Sequence, residues 1–175
     1  MRRREALAGL GALGVFGAGA AFVFSDLDVF DSGERVEPVD LPRIEAPGSS
    51  AGVETIPEEG RVTYVAMFAT WCGTCRTKMG PLGEAAAAVS DDVQFISVTN
   101  EAIGLNVQPE DVADWWRAYD GNWPVAHDED LELSKRIDAP GVPYSAVLDA
   151  DNRLVWSEGG YKEAQEILDA IDEAR

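Results

Sequence analysis

The sequence predicts an α/β protein, a three-layer fold whose mixed central sheet carries helices on both faces. Three observations carry this expectation. Residues 62–69 (VTYVAMFA) form an unbroken apolar run rich in strand formers, the pattern of a strand covered on both sides. A helical pattern over 73–89 and a second strand pattern over 93–99 (VQFISVT) follow it, and a strand–helix–strand unit requires parallel pairing. Later, residues 144–148 and 153–157 flank an Asp-Ala-Asp-Asn turn and read as an antiparallel hairpin.

The chain opens with Arg2, Arg3 and Arg4 ahead of an uncharged run from residue 6 to 24. That is the layout of a secretory signal or a single membrane anchor, with a partial match to a twin-arginine start. Residues 1–24 are therefore assigned to a signal sequence or N-terminal anchor, which places the remainder outside the cytoplasm. Residues 25–52 are acidic, hold three prolines and end in Gly-Ser-Ser-Ala-Gly. They read as a linker with an edge strand near residues 41–46. A compact domain over 53–175 completes the organisation.

Within that domain, Gly80-Pro81 is expected to bend the helix over 73–89. Residues 109–119 start with Pro and acids, a helix start that carries Trp115 and Trp116. Residues 131–137 read as a short helix. Residues 161–174 read as a closing amphipathic helix, with Ile167, Leu168 and Ile171 on one face.

Charge narrows the function. Asp and Glu number 32 against 14 Lys and Arg, a net charge of −18, and only three of the basic residues are lysines. Such a surface repels phosphate backbones and anionic lipid, which excludes a nucleic-acid partner. It also resembles the surfaces of extreme halophiles, where molar salt shortens the Debye length to about 3 Å.

The only two cysteines, Cys72 and Cys75, stand in Trp71-Cys72-Gly73-Thr74-Cys75. Zinc would need His127 and a carboxylate to complete a ligand set. A purely structural disulfide closing so short a loop would remove little chain entropy. A redox dithiol fits the placement best. Cys72 would stand at the mouth of a helix, where free N–H groups and the dipole favour a thiolate, with Cys75 one turn behind it.

These residues, with Phe68-Ala69-Thr70 before them and Gly141-Val142-Pro143 and Gly159-Gly160 later, resemble the thioredoxin superfamily, and within it the exported TlpA/ResA-like thiol-disulfide oxidoreductases. The resemblance runs from about residue 53 to 175 and implies a thioredoxin-like fold. It further implies an extracytoplasmic enzyme that exchanges a Cys72–Cys75 dithiol with protein thiols and disulfides, as a reductant rather than an oxidant. Cys72 would attack and Cys75 resolve. Trp71, Gly73, Thr74, Val142 and Pro143 would meet the substrate, the Val142–Pro143 peptide being cis. Trp71 would also shield the site. No cofactor is called for, since exchange needs none. A membrane electron donor is a candidate partner.

The sequence departs from the family at the proton acceptors. Ala66 replaces the buried Asp that thioredoxin carries six residues before its first cysteine, and Lys78 stands where some TlpA/ResA-like proteins have Glu. Glu101, after the second strand, is the candidate substitute as proton acceptor. Two rival readings stay open. One is an SCO-like copper metallochaperone using Cys72, Cys75 and His127; the other is a non-catalytic tethered interaction domain. Trp115, Trp116 and Trp123 are expected in the core or as cover for the helical insertion that follows the second strand, with a substrate groove as the alternative.

Overall fold

The computed structural model describes Gly33 and residues 35–175. The predicted signal or anchor over 1–24 lies outside the described residues. Among the described residues no helix is long and apolar enough to cross a membrane.

Seven strands form one mixed sheet in the order β2-β1-β5-β4-β3-β6-β7. In chain order the elements are β1 (Val39–Arg43), β2 (Gly52–Ile56), β3 (Val62–Phe68), α1 (Gly73–Ala88), β4 (Val93–Thr99), α2 (Pro109–Ala118), β5 (Val125–His127), α3 (Glu132–Arg136), β6 (Tyr144–Leu148), β7 (Leu154–Gly159) and α4 (Ala164–Glu173). Strands β3, β4 and β5 run parallel, and β6 and β7 continue the sheet antiparallel. The expected three-layer fold is the observed one.

All seven residues of β3 are buried, because both faces of the sheet are covered. Tyr64, Ala66 and Phe68 face Met79 and Leu82 of α1, Trp116 of α2 and Ile167 and Ile171 of α4. Val65 and Met67 face the other way, onto Leu133 of α3, Ile137 and the β1 residues Val39 and Leu41. Alternate side chains of one strand thus feed two cores.

The linker expectation for 25–52 needs correction over its second half. Val36, Val39, Leu41 and Ile44 are buried, and β1 pairs antiparallel with both β2 and β5. Residues from Val36 onward are thus packed and paired with the domain assigned to 53–175. Pro38 and Pro42 disguised the segment, yet Val39 and Leu41 keep the period of two that places one strand face in a core.

Candidate active site

The strand register gathers the site at one end of the central strands. Phe68 of β3 pairs with Thr99 of β4, and Thr99 pairs with His127 of β5. Met67 pairs with Tyr144, so antiparallel β6 begins where β3 ends. The loops carrying Cys72, Glu101 and Pro143 therefore leave or enter the sheet side by side, at the strand ends where α/β proteins place their ligands.

Cys72 is the N-cap of α1, and its Sγ accepts a hydrogen bond from the Cys75 N–H at 3.1 Å. The two sulfurs form a disulfide with Cα atoms 5.2 Å apart. A sulfur at this position receives an amide and the positive end of the helix dipole, both of which favour a thiolate once the bond is reduced. The first turn of α1 holds no acidic residue to oppose that charge. It does hold Arg76, whose guanidinium carbon lies 5.6 Å from the centre of the Tyr119 ring.

Both cysteines are buried, while Gly73 and Thr74 are exposed and Trp71 is 73% exposed. Trp71 therefore stands in solvent beside the dithiol and does not shield it, a correction to the expectation.

The Val142–Pro143 peptide is cis, as the resemblance implies, and the Pro143 carbonyl accepts from the Gly160 N–H at 3.0 Å. Val142 packs against the cluster that contains both cysteines. Among the described residues no backbone hydrogen bond engages Val142.

Glu101 is buried, and its carboxylate accepts from the Thr70 N–H at 2.7 Å, the Thr70 hydroxyl at 2.8 Å and the Thr99 hydroxyl at 3.2 Å. Its partners belong to the loop ahead of Cys72. The Glu101 carbonyl in turn accepts from His127 Nε2 at 2.8 Å. His127 is thus committed to the backbone of the neighbouring loop. Among the described residues, no three His, Cys, Asp or Glu side chains gather as a metal site, so the copper arrangement of Cys72, Cys75 and His127 is not assembled.

The tryptophans divide. Trp116 and Trp123 are core residues, their indole N–H groups donating to the Pro47 carbonyl (3.1 Å) and the Ser97 hydroxyl (2.9 Å). Trp115 is half-buried, stacked on Phe68 at 5.2 Å and packed on Tyr119 at 5.1 Å.

The sequence marks Lys78 only as a departure from the family, and its buried contacts are not anticipated there. Lys78 is buried, and its ammonium donates to the Ser145 hydroxyl, which also pairs with the Tyr64 hydroxyl at 2.8 Å. Burial, and next the charge of Lys162, push the Lys78 amine down to about 8. Burial likewise pushes the Tyr64 hydroxyl well up from its ordinary value. The signal lay in spacing. Lys78 is three residues past Cys75, and Tyr64 shares the strand face of Ala66 and Phe68 that meets α1.

A dithiol at a helix mouth, beside a cis-proline loop in this fold, defines a thiol-disulfide oxidoreductase of the thioredoxin superfamily. The Redoxin family model matches residues 31–171, and the chain belongs to that family. Its fold is similar to three solved structures. StoA from Bacillus subtilis is 20% identical with a TM-score of 0.64, covering 77% of this chain and 96% of StoA. The exposed lipoprotein thioredoxin Etrx1 of Streptococcus pneumoniae is 21% identical with a TM-score of 0.66, covering 78% and 99%. A secreted Mycobacterium tuberculosis disulfide oxidoreductase is 16% identical with a TM-score of 0.63, covering 77% and 95%.

Proposed function

We propose that this protein works outside the cytoplasm, exchanging its Cys72–Cys75 disulfide and dithiol with protein substrates, and that it does so as a reductant fed by a membrane electron donor. The observation that carries the exchange is the amide of Cys75 aimed at the sulfur of Cys72 from a helix mouth with no acid in its first turn. Cys72 is then the thiol that ionises and attacks, and Cys75 resolves the mixed disulfide. The open backbone of Val142 accepts an extended segment of substrate, with Pro143 contributing no competing N–H. Exposed Trp71, Gly73 and Thr74 supply the rest of the contact. Export is supported by the Arg-led apolar start of the sequence, and by the described homes of two structural neighbours, one an exposed lipoprotein and one secreted. That start is also read as the membrane tether.

The test is a pair of variants expressed in the source cell. Cys72→Ser abolishes exchange, and Cys75→Ser accumulates covalent adducts in the cell envelope that identify the substrates. Adducts trapped by Cys72→Ser instead would reverse the assigned roles. The dithiol's reduction potential decides direction: a value near −300 mV supports a reductant, and one near −120 mV an oxidant.

A further inference from the structure

We infer that Lys78 is the proton partner of Cys75, taking the Cys75 proton when the mixed disulfide is resolved; this rests on the assignment of Cys72 as the attacking thiol. The geometry comes first. Lys78 lies one helical turn beyond Cys75, on the same buried face of α1. Cys75 and the sheet residues Tyr64 and Ala66 share one core cluster on that side of α1. The Lys78 ammonium ends at Ser145 on β6, and Ser145 pairs with Ala66 on β3. That point lies two residues from Pro143 along one strand and six from Cys72 along the other.

Few groups compete for this amine. Ser145 and Tyr64 are its polar neighbours on the sheet, and Lys162, ahead of α4, is the charge that bears on it. Lys162 itself is paired with Glu158 at 2.7 Å. Among the described residues no carboxylate forms an ion pair with Lys78. A buried ammonium without a counter-ion is unfavourable, and ionisation of Cys75 would supply the missing anion. The amine near 8 is matched to a thiol: about a tenth is free base at pH 7, where an ordinary lysine has almost none.

The step balances. The Cys72 thiolate attacks a substrate disulfide R–S–S–R′, forming Cys72–S–S–R and releasing R′–S⁻, which is protonated by water. Cys75 S–H then gives its proton to Lys78 Nζ, and the Cys75 thiolate attacks Cys72 Sγ. The Cys72–Cys75 bond forms as R–S⁻ leaves, and Lys78 returns the proton to R–S⁻ or to water. Two electrons pass from the dithiol to the substrate. In the opposite direction Lys78 protonates departing Cys75.

The experiment mixes reduced full-length protein with stoichiometric dithionitrobenzoate in a stopped flow across pH 6 to 10. The first thionitrobenzoate released reports attack by Cys72, and the second reports resolution by Cys75. In the wild type the second phase should rise with pH around a midpoint near 8. Lys78→Met should slow that phase at least tenfold at pH 7, and push its midpoint above the free-thiol value of about 8.5. Ser145→Ala, a second variant should the first fail to fold, removes the acceptor that favours the ammonium and should move the midpoint down. A second phase and pH profile unchanged in Lys78→Met, or a midpoint unmoved in Ser145→Ala, overturns the role of Lys78. Absence of the first phase in the wild type would instead sink the assignment of Cys72.

Discussion

Lys78 should cost the folded protein stability, and the amount follows from its burial. Its amine falls from 10.5 to about 8 on folding, and each unit corresponds to 1.36 kcal/mol, so the penalty is about 3 kcal/mol. Its sign is fixed by proton counting. Between pH 8 and 10.5 the unfolded chain binds a proton at Lys78 that the folded protein does not, so stability at this site rises with pH. Below pH 8 both forms are protonated and the penalty is present in full; above 10.5 it vanishes. Lys78→Met keeps most of the packed stem and removes the charge. Ser145 and Tyr64 remain paired with each other, and about 1 kcal/mol is lost with the lysine's own hydrogen bond. The variant should therefore gain roughly 2 kcal/mol at pH 7, shrinking toward pH 10.5. Urea unfolding of both oxidised proteins in molar KCl, at half-unit steps from pH 6 to 10.5, measures the difference. Ionisation of Tyr64 in the unfolded chain affects both proteins alike and cancels. A variant less stable than the wild type at pH 7, or a difference independent of pH, would refute the reasoning.

Other outcomes follow from the same structure. Glu101→Gln leaves one of three accepted hydrogen bonds facing an amide donor, and should lower unfolding free energy by about 1–3 kcal/mol in urea titrations. Gly121→Ala would put a methyl carbon 2.4 Å from the Trp116 ring, so a loss of about 1–3 kcal/mol is expected, with a change in Trp fluorescence. A net charge of −18 should make the melting temperature climb by about 5 °C or more between dilute buffer and molar KCl, and a flat profile would remove the halophile reading. Iodoacetamide should alkylate Cys72 of the reduced protein with a midpoint below the free-thiol value of about 8.5, and equal rates at the two cysteines would contradict the helix-mouth argument.

The parts legible in the sequence are those where one residue pattern had one physical meaning. The apolar run of β3 and the strand formers of β4 pointed to buried strands, and β4 and β6 fall at their expected limits. The strands that escaped are those decided by neighbours. β5 has three residues, too few for any period, and exists because β4 and β1 supply partners on either side. β2 is largely exposed and polar, held by its register with β1. At the site, the cysteines announced themselves by local chemistry, and the cis-proline followed from the family resemblance. For Lys78 the spacing from Cys75 gave the helix face, but its meeting with Ser145 is decided by the pairing of β6 with β3. Glu101 was found by its place after a strand, but its binding to Thr70 needed the parallel pairing of β3 with β4.

The tie from His127 to Glu101 to Thr70 crosses three adjacent strands and ends two residues before Cys72. Thr70 has both its amide and its hydroxyl fixed to one carboxylate, so the turn entering α1 has little torsional freedom left to lose. The conformational entropy of forming a mixed disulfide then falls on the partner. A disulfide locked in a rigid surface cannot bring its sulfur in line with Cys72, whereas one on a pliant loop or an unfolded chain can mould itself to the fixed thiol. In the proposed exchange, stiffness in the enzyme would become a selection for softness in its substrates.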